Sequence, residues 1–245
     1  AGLLSFLPDE KIAQVMTLRS YDGAEYLLLA TRKGMVKKTA LKAYDSSRQA
    51  GVIAVNFRTE DDELIGAEQC SAADDVLLIS RMGRATSGVT GMKFRGDDEL
   101  LSMSIIHSDM PEDDRFVFTA TGGGYAKRTA VSEYRQQGRG GVGIKAMALS
   151  EERGSLVGGL VVSEADEIIA IKTSGQITRS AVSEVPAKGR STMGVKFVSV
   201  RGGDAVSIIA VNPEHTVEEE VADESVETVE GDATQAQSGG VVRRS

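Results

Sequence analysis

Four arginines, Arg48, Arg84, Arg139 and Arg190, recur at matching positions of a repeat beside glycines, and nothing around them resembles bond-making chemistry. The fullest of these loops reads Gln137-Gly138-Arg139-Gly140-Gly141-Val142-Gly143. A guanidinium among glycines suits an oxyanion, because glycine lets main-chain N–H groups approach closely and arginine supplies a charged donor fork. Further bases gather on the same stretches: Lys37, Lys38 and Lys42 before Arg48, then Lys127, Arg128 and Arg135 before Arg139 with Lys145 after it, and Arg179 and Lys188 before Arg190. Acids gather elsewhere, at Glu60 to Glu63, Asp97 to Glu99, and Glu151-Glu152. A repeated row of bases fits the phosphate backbone of double-stranded DNA, which releases condensed counterions when neutralised. Few aromatics and no base-reading helix accompany the row, so the expected binding is largely independent of sequence. The plainer alternative is a set of solvated strand faces.

Other chemistry finds little support. Gly122-Gly123-Gly124 follows an apolar run but leads into no helix, so it reads as a β-turn and not a phosphate loop. His107 and His215 have no metal-ligand set around them, and Cys70 reads as a small core residue. Asp61-Asp62 and Asp97-Asp98 recur in matching turns, which makes them turn residues and not an acid/base pair. No catalytic residue, metal or cofactor is expected in this chain.

The elements that position the arginines follow from the repeat. Tyr26-LLLAT-RKG-MVKKTA, Phe116-VFTAT-GGG-YAKRTA and Glu167-IIAIKT-SG-QITRSA each join an apolar run, a glycine turn and a second run, the mark of a β-hairpin. Beyond each arginine an apolar run begins at Leu64, Leu100, Leu156 or Val206, at offsets of 16, 16, 17 and 16 residues. A unit of roughly 40 to 50 residues with four strands predicts an all-β, propeller-like array of four-stranded blades. With no tryptophan, the core must be built from Val, Ile, Leu and Ala, and 27 glycines supply the turns. There is no transmembrane run, no signal peptide and a single cysteine, so a cytoplasmic protein is expected.

The array is expected over residues 1–213, with a partial blade at 1–20 and repeats at 26–70, 75–106, 116–162 and 167–211. Gly2 to Leu18 resembles the downstream half of a repeat, so the natural protein is expected to continue N-terminally. The second repeat is about a dozen residues short. Aligned on Arg84, the gap falls between Ile79 and Met82, as a true deletion or as a loop lost from the reading, and the second is favoured because a blade without its inner strand pair would open the array. Residues 214–245 hold nine carboxylates, are poor in apolar residues and read as a disordered acidic tail. Without that tail the net charge of −8 falls to near neutrality, 26 basic against 27 acidic residues, so the bases are segregated and not in excess.

The loop Gln137 to Gly143, with Arg84-ATSGVTGMKFRGDDELLSM and Gly124-YAKRTAVSEY, resembles the C-terminal domain of the DNA gyrase A subunit over residues 1–213. That family's box motif is usually Q-R-R-G-G-K/R-G; Gly138 and Val142 stand here where it has bases, so the loop is similar to an accessory box. The resemblance implies a β-pinwheel that wraps DNA on its edge, nucleoid-associated, within an ATP- and Mg2+-dependent type IIA topoisomerase containing two B subunits beside a second A subunit. It implies DNA contacts at Gln137, Gly138, Arg139, Gly140, Gly141, Gly143, Lys145, Arg48, Arg84, Arg190, Lys37, Lys38, Lys127, Arg128 and Arg179. No tyrosine here sits in anything like the family's strand-cleaving motif. The alternatives are the C-terminal domain of the topoisomerase IV A subunit, and a propeller used as a protein-interaction scaffold. The tail is expected to compete with DNA for the basic arc.

Overall fold

The structure is a computed structural model, and it describes residues 11–18, 20–46, 52–82, 84–87 (backbone only), 91–137 and 140–212. The expected hairpins form: β1 (Tyr26–Thr31) with β2 (Val36–Ala40), β7 (Phe116–Thr121) with β8 (Tyr125–Ala130), and β11 (Glu167–Lys172) with β12 (Ile177–Ala181). Each turn carries a glycine with positive φ, at Gly34, Gly124 and Gly175. The first strand of each hairpin also pairs antiparallel with a later strand: β3 (Leu64–Cys70), β10 (Leu156–Val162) and β14 (Val206–Val211) respectively. The second repeat supplies β4 (Asp75–Ser80), β5 (Arg84–Ser87) and β6 (Leu100–Ile106) on the same plan. A register shift recurs where the hairpin's first strand meets its later partner, at Ala30/Thr31, Ile79/Ser80, Leu156/Gly158 and Ile171/Lys172. Helical structure among the described residues is limited to 3-10 turns such as Leu41–Tyr44, Val131–Glu133 and Val182–Glu184. The all-β expectation is met.

The fourth strand of a sheet comes from the next repeat. β9 (Ile144–Lys145) leaves the third repeat to pair with β5, and β13 (Val195–Lys196) leaves the fourth to pair with β8. Gly91–Phe94 of the second repeat lies against the Gly34–Val36 turn of the first in the same way. The sheet orders are therefore β2-β1-β3, β6-β4-β5-β9, β10-β7-β8-β13 and β12-β11-β14. On the other edge β3 packs on β6, β6 on β10 and β10 on β14. Small residues allow that approach: a Cβ on Gly159 would lie 2.0 Å from Ile79 Cδ1, and one on Gly158 2.4 Å from Ile209. The inner strands thus meet one another, and the donated strands occupy the opposite, outer edge.

Each apolar core joins neighbouring repeats. Leu28 and Ala30 cluster with Leu78, Met92 and Met103; Leu77 and Ile79 with Val117, Ala146 and Met147; and Phe118 and Ala120 with Ile168, Val198 and Ile209. Aliphatic residues fill these spaces, as the lack of tryptophan requires.

The second repeat differs from the sequence-based expectation. Its hairpin is intact, with Leu77↔Ser87, Leu78↔Thr86 and Ile79↔Ala85 in register, so nothing is missing between Ile79 and Met82. The shortfall follows Ser87, where only three residues separate β5 from Gly91 and the counterpart of Leu41–Tyr44 and its loop is absent. Arg84 is therefore the first residue of a strand and not a loop arginine. Hairpin register, seen in the β4–β5 pairing, overrides the alignment on arginine.

Of the expected partial blade at 1–20, residues 11–18 form no strand, and residues 1–10 lie outside the described residues, as does the tail 214–245. Gln14 clasps β3 instead: its Nε2 donates to Ala67 O at 2.7 Å, and Ala67 N donates to its Oε1 at 2.7 Å.

Candidate nucleic-acid interface

The donated strands carry the most regular basic feature of the fold. Gly91-Met92-Lys93, Gly143-Ile144-Lys145 and Gly194-Val195-Lys196 occupy equivalent places in three repeats, and all three lysines are exposed. Alternation explains this: Met92 and the following Phe94, Ala146 and Phe197 turn toward the cores, so the intervening lysine turns outward. Lys145 was expected from sequence. Lys93 and Lys196 were missed, although the shared Gly-apolar-Lys triplet was a signal that could have found them.

The arginine loops sit beside these lysines, one repeat out of step. Gly140 N donates to Gly91 O at 3.1 Å, and Lys93 N donates to Gly141 O at 2.9 Å, so the glycine-rich loop of the third repeat lies against the lysine segment of the second. Gly140 and Gly143 both have positive φ, which makes glycine the residue for these bends. Gln137 Nε2 donates to Arg135 O within the same loop. Arg190 repeats the relationship one repeat later, its Nη1 donating to Lys145 O at 3.0 Å. The Lys93 and Lys145 stations are thus composite, a loop from one repeat beside a lysine from the repeat before.

The Arg190 loop is also sewn to β8. Lys127 Nζ donates to Gly189 O and Arg190 O at 2.8 and 2.7 Å, Thr129 Oγ1 donates to Lys188 O at 2.7 Å, and Arg190 N donates to Glu133 Oε2 at 3.1 Å. Arg153 stacks over the Tyr125 ring at 4.1 Å and donates to Met193 O at 3.0 Å.

These bonds correct part of the expected site. Lys127 is fully buried and Arg128 nearly so, and neither presents its charge to a duplex. β8 is flanked by β7 and β13 and covered by the Arg190 loop, so its alternation has no solvent face. Arg128 donates to Glu164 at 2.7 Å and stacks over Phe116 at 4.8 Å. Burial lowers the Lys127 ammonium to about 8; Glu133 opposes the shift, and Arg190 and Lys145 reinforce it.

The first hairpin is more open. Lys37 is exposed, with its Nζ donating to Ala54 O at 2.6 Å, and Lys38 lies over the Tyr26 ring at 4.2 Å and donates to Ser71 O. Arg179 is exposed on β12. Gly138, Arg139 and Arg48 lie outside the described residues, and Arg84 is described by its backbone alone, paired in register with Lys145.

The acidic turns have a local purpose. Asp62 Oδ1 accepts from Lys33 N, Asp98 Oδ1 from Met82 N, and Asp204 Oδ1 from Ser174 N, each closing a hairpin turn of its own repeat. Arg32 pairs with Glu63 and Glu99, and Lys33 with Asp61, so turn acids meet turn bases. Among the described residues no cluster could hold a metal ion, and no helix is long and apolar enough to cross a membrane.

Comparison with known proteins gives one family. A family model described as DNA gyrase C-terminal domain, beta-propeller, matches residues 25–71, 76–107, 115–163 and 166–212. The A subunit of DNA gyrase from Streptomyces coelicolor is 54% identical over 257 residues, covering 96% of this chain and 29% of that protein. The A subunit of DNA gyrase from Mycobacterium tuberculosis is 44% identical over 239 residues, covering 91% and 28%. Among solved structures, the C-terminal domain of DNA topoisomerase IV superposes with a TM-score of 0.77 at 21% identity, covering 92% of this chain and 74% of that one. A DNA gyrase A C-terminal domain superposes with a TM-score of 0.72, also at 21% identity, covering 85% and 73%. The chain spans under a third of the length of these curated relatives, and it belongs to the DNA gyrase C-terminal domain family.

Proposed function

We propose that this chain binds double-stranded DNA along its outer edge without reading base sequence, and bends it around the array as the C-terminal domain of a gyrase A subunit. The observation that carries this reading is the row Lys93, Lys145 and Lys196, exposed at the equivalent place of two outer strands and of the extended segment Gly91–Phe94, with glycine and arginine loops beside the first two. Lysines at successive repeats meet successive stretches of one curved backbone, and the bending cost is offset by contacts that a straight duplex could not reach. Strand edges and loops offer no element that enters a major groove, so contacts are to phosphate. In the whole enzyme this module would present a wrapped segment to the strand-passing machinery, with ATP and Mg2+ used by other parts of an assembly of two A and two B subunits. Gyrase is favoured over topoisomerase IV by the 44–54% identity to gyrase A subunits.

The near-neutral body charge favours a second reading, a scaffold for protein partners. Gel-shift titration with linear duplex across a salt series separates the two. Six neutralised phosphates would give a slope of log affinity on log salt of about −5, and Lys93→Ala, Lys145→Ala and Lys196→Ala should each reduce it by about one. Absence of duplex binding at low salt would leave the scaffold.

A further inference from the structure

Lys127 is a buried ammonium whose two hydrogen-bond partners are carbonyl oxygens, Gly189 O and Arg190 O. The charges facing it are Glu133 from the 3-10 turn after β8, Arg190 from the loop it holds, and Lys145 from β9. Two of the three are cations, and a buried positive charge beside two others is costly unless an anion joins them. Arg190 is half-exposed and Lys145 exposed, and the guanidinium already reaches across to the Lys145 carbonyl, so an anion would enter from solvent between them.

The arrangement is particular to this loop. At the register position of Lys127 stand Thr178 on β12 and Thr86 on β5. Lys37 holds that place on β2, but the second repeat lacks the loop it would hold, and Lys37 bonds instead to Ala54 of its own repeat.

We propose that Arg190 and Lys145 form a phosphate-contact site whose geometry is set by Lys127, and that phosphate bound there is accompanied by a proton on Lys127. This rests on the duplex-binding reading above. Lys127 is a positioning residue, since it fixes the carbonyls on either side of the Arg190 amide without reaching the duplex. Its amine keeps two N–H donors when neutral, so the loop stays in place at either charge. Burial holds the free ammonium near 8, and a nearby phosphate raises it by offsetting the repulsion from Arg190 and Lys145. Between the free and the raised values the complex holds more protons than the free chain, so binding takes up protons and affinity falls as pH rises through about 8.

Calorimetric titration of the whole chain with linear duplex, from pH 7 to 9 in two buffers of different ionisation enthalpy, measures this. We expect proton uptake that emerges near pH 8, is absent in Lys127→Met, and is also lost in Arg190→Ala, which keeps the Arg190 main chain that Lys127 and Glu133 hold. Lys127→Met should weaken binding, and the double variant should bind no more weakly than Arg190→Ala. A core variant, Val162→Ala, should leave proton uptake unchanged. Duplex binding without proton uptake in the wild type, or equal uptake in Lys127→Met, overturns the proposal, as do additive losses in the double variant. A chain that binds no duplex defeats the reading on which the site rests. Positioning is then decided by amide exchange at Arg190, expected to quicken in Lys127→Met, and unchanged exchange overturns it.

Discussion

Phe197 stands edge-on to Phe118, their ring centroids 5.4 Å apart and their planes at 71°, although the two belong to different repeats. The third sheet is therefore closed by a ring that the fourth repeat supplies. Phe197→Ala should destabilise the array by about 2 to 4 kcal/mol, the lower part of the usual range for buried phenylalanine because this ring is only half-buried. Loss of amide protection should concentrate on β8 and not on β11. Uniform loss across both strands would show that the repeats do not depend on one another in this way.

Gly124 and Gly175 occupy the same turn position with φ of 81° and 82°, yet their surroundings differ. A Cβ on Gly124 would lie 2.0 Å from Val198 O, whereas one on Gly175 meets nothing within 4 Å. Gly175→Ala should thus cost only the left-handed backbone, about 1 kcal/mol, and Gly124→Ala clearly more, because the donated strand must also move. Equal melting shifts for the two would argue against strand donation as the source of the crowding.

Asp204 is held down to about 2 by the Thr173 hydroxyl at 2.6 Å, which together with the Ser174 hydroxyl and the amides of Ser174 and Ala205 outweighs the opposing effect of desolvation. A carboxylate lowered in the folded state stabilises fully above its ordinary value near 4, and that contribution disappears as pH falls through about 2. The Ser174 amide should stay protected from pH 7 to 4 and lose protection between 4 and 2. In Asp204→Asn it should be weakly protected throughout, and a wild-type midpoint near 4 would contradict the clamp.

The acidic tail at 214–245 is expected to compete with duplex for the basic edge, since tethering keeps its carboxylates at roughly millimolar local concentration. Truncation after Pro213 should tighten duplex binding at 50 mM salt, and the gain should shrink as the screening length falls from about 10 Å at 0.1 M to about 3 Å at 1 M. Equal affinities at low salt would assign the tail to solubility alone.

The hairpins were legible in sequence because apolar run, glycine turn and second run lie within twenty residues of one another. Strand donation was not, since Val195 pairs with Ala126 across about 70 residues and nothing local in either stretch specifies it. The same non-local packing hid the fate of Lys127 and Arg128. Both read as surface bases until a fourth strand and a loop from the next repeat cover them. Arg84 was misplaced because an arginine was used as the ruler where the Ile79↔Ala85 pairing fixes the hairpin.

Donation always runs backward along the chain, from a later repeat to the one before it, and this has a consequence during synthesis. Sheet three awaits Val195–Lys196, which leave the ribosome about 65 residues after β8. At roughly 5 to 20 residues per second the edge of β8 stays open for several seconds. Four similar repeats then offer one another's segments as wrong partners, the hazard that open strand edges present. A lysine at the end of each donated segment, Lys93, Lys145 and Lys196, disfavours stacking of like segments by charge repulsion. The residues proposed to meet phosphate in the finished protein thus stand where the nascent chain would need charge against mispairing.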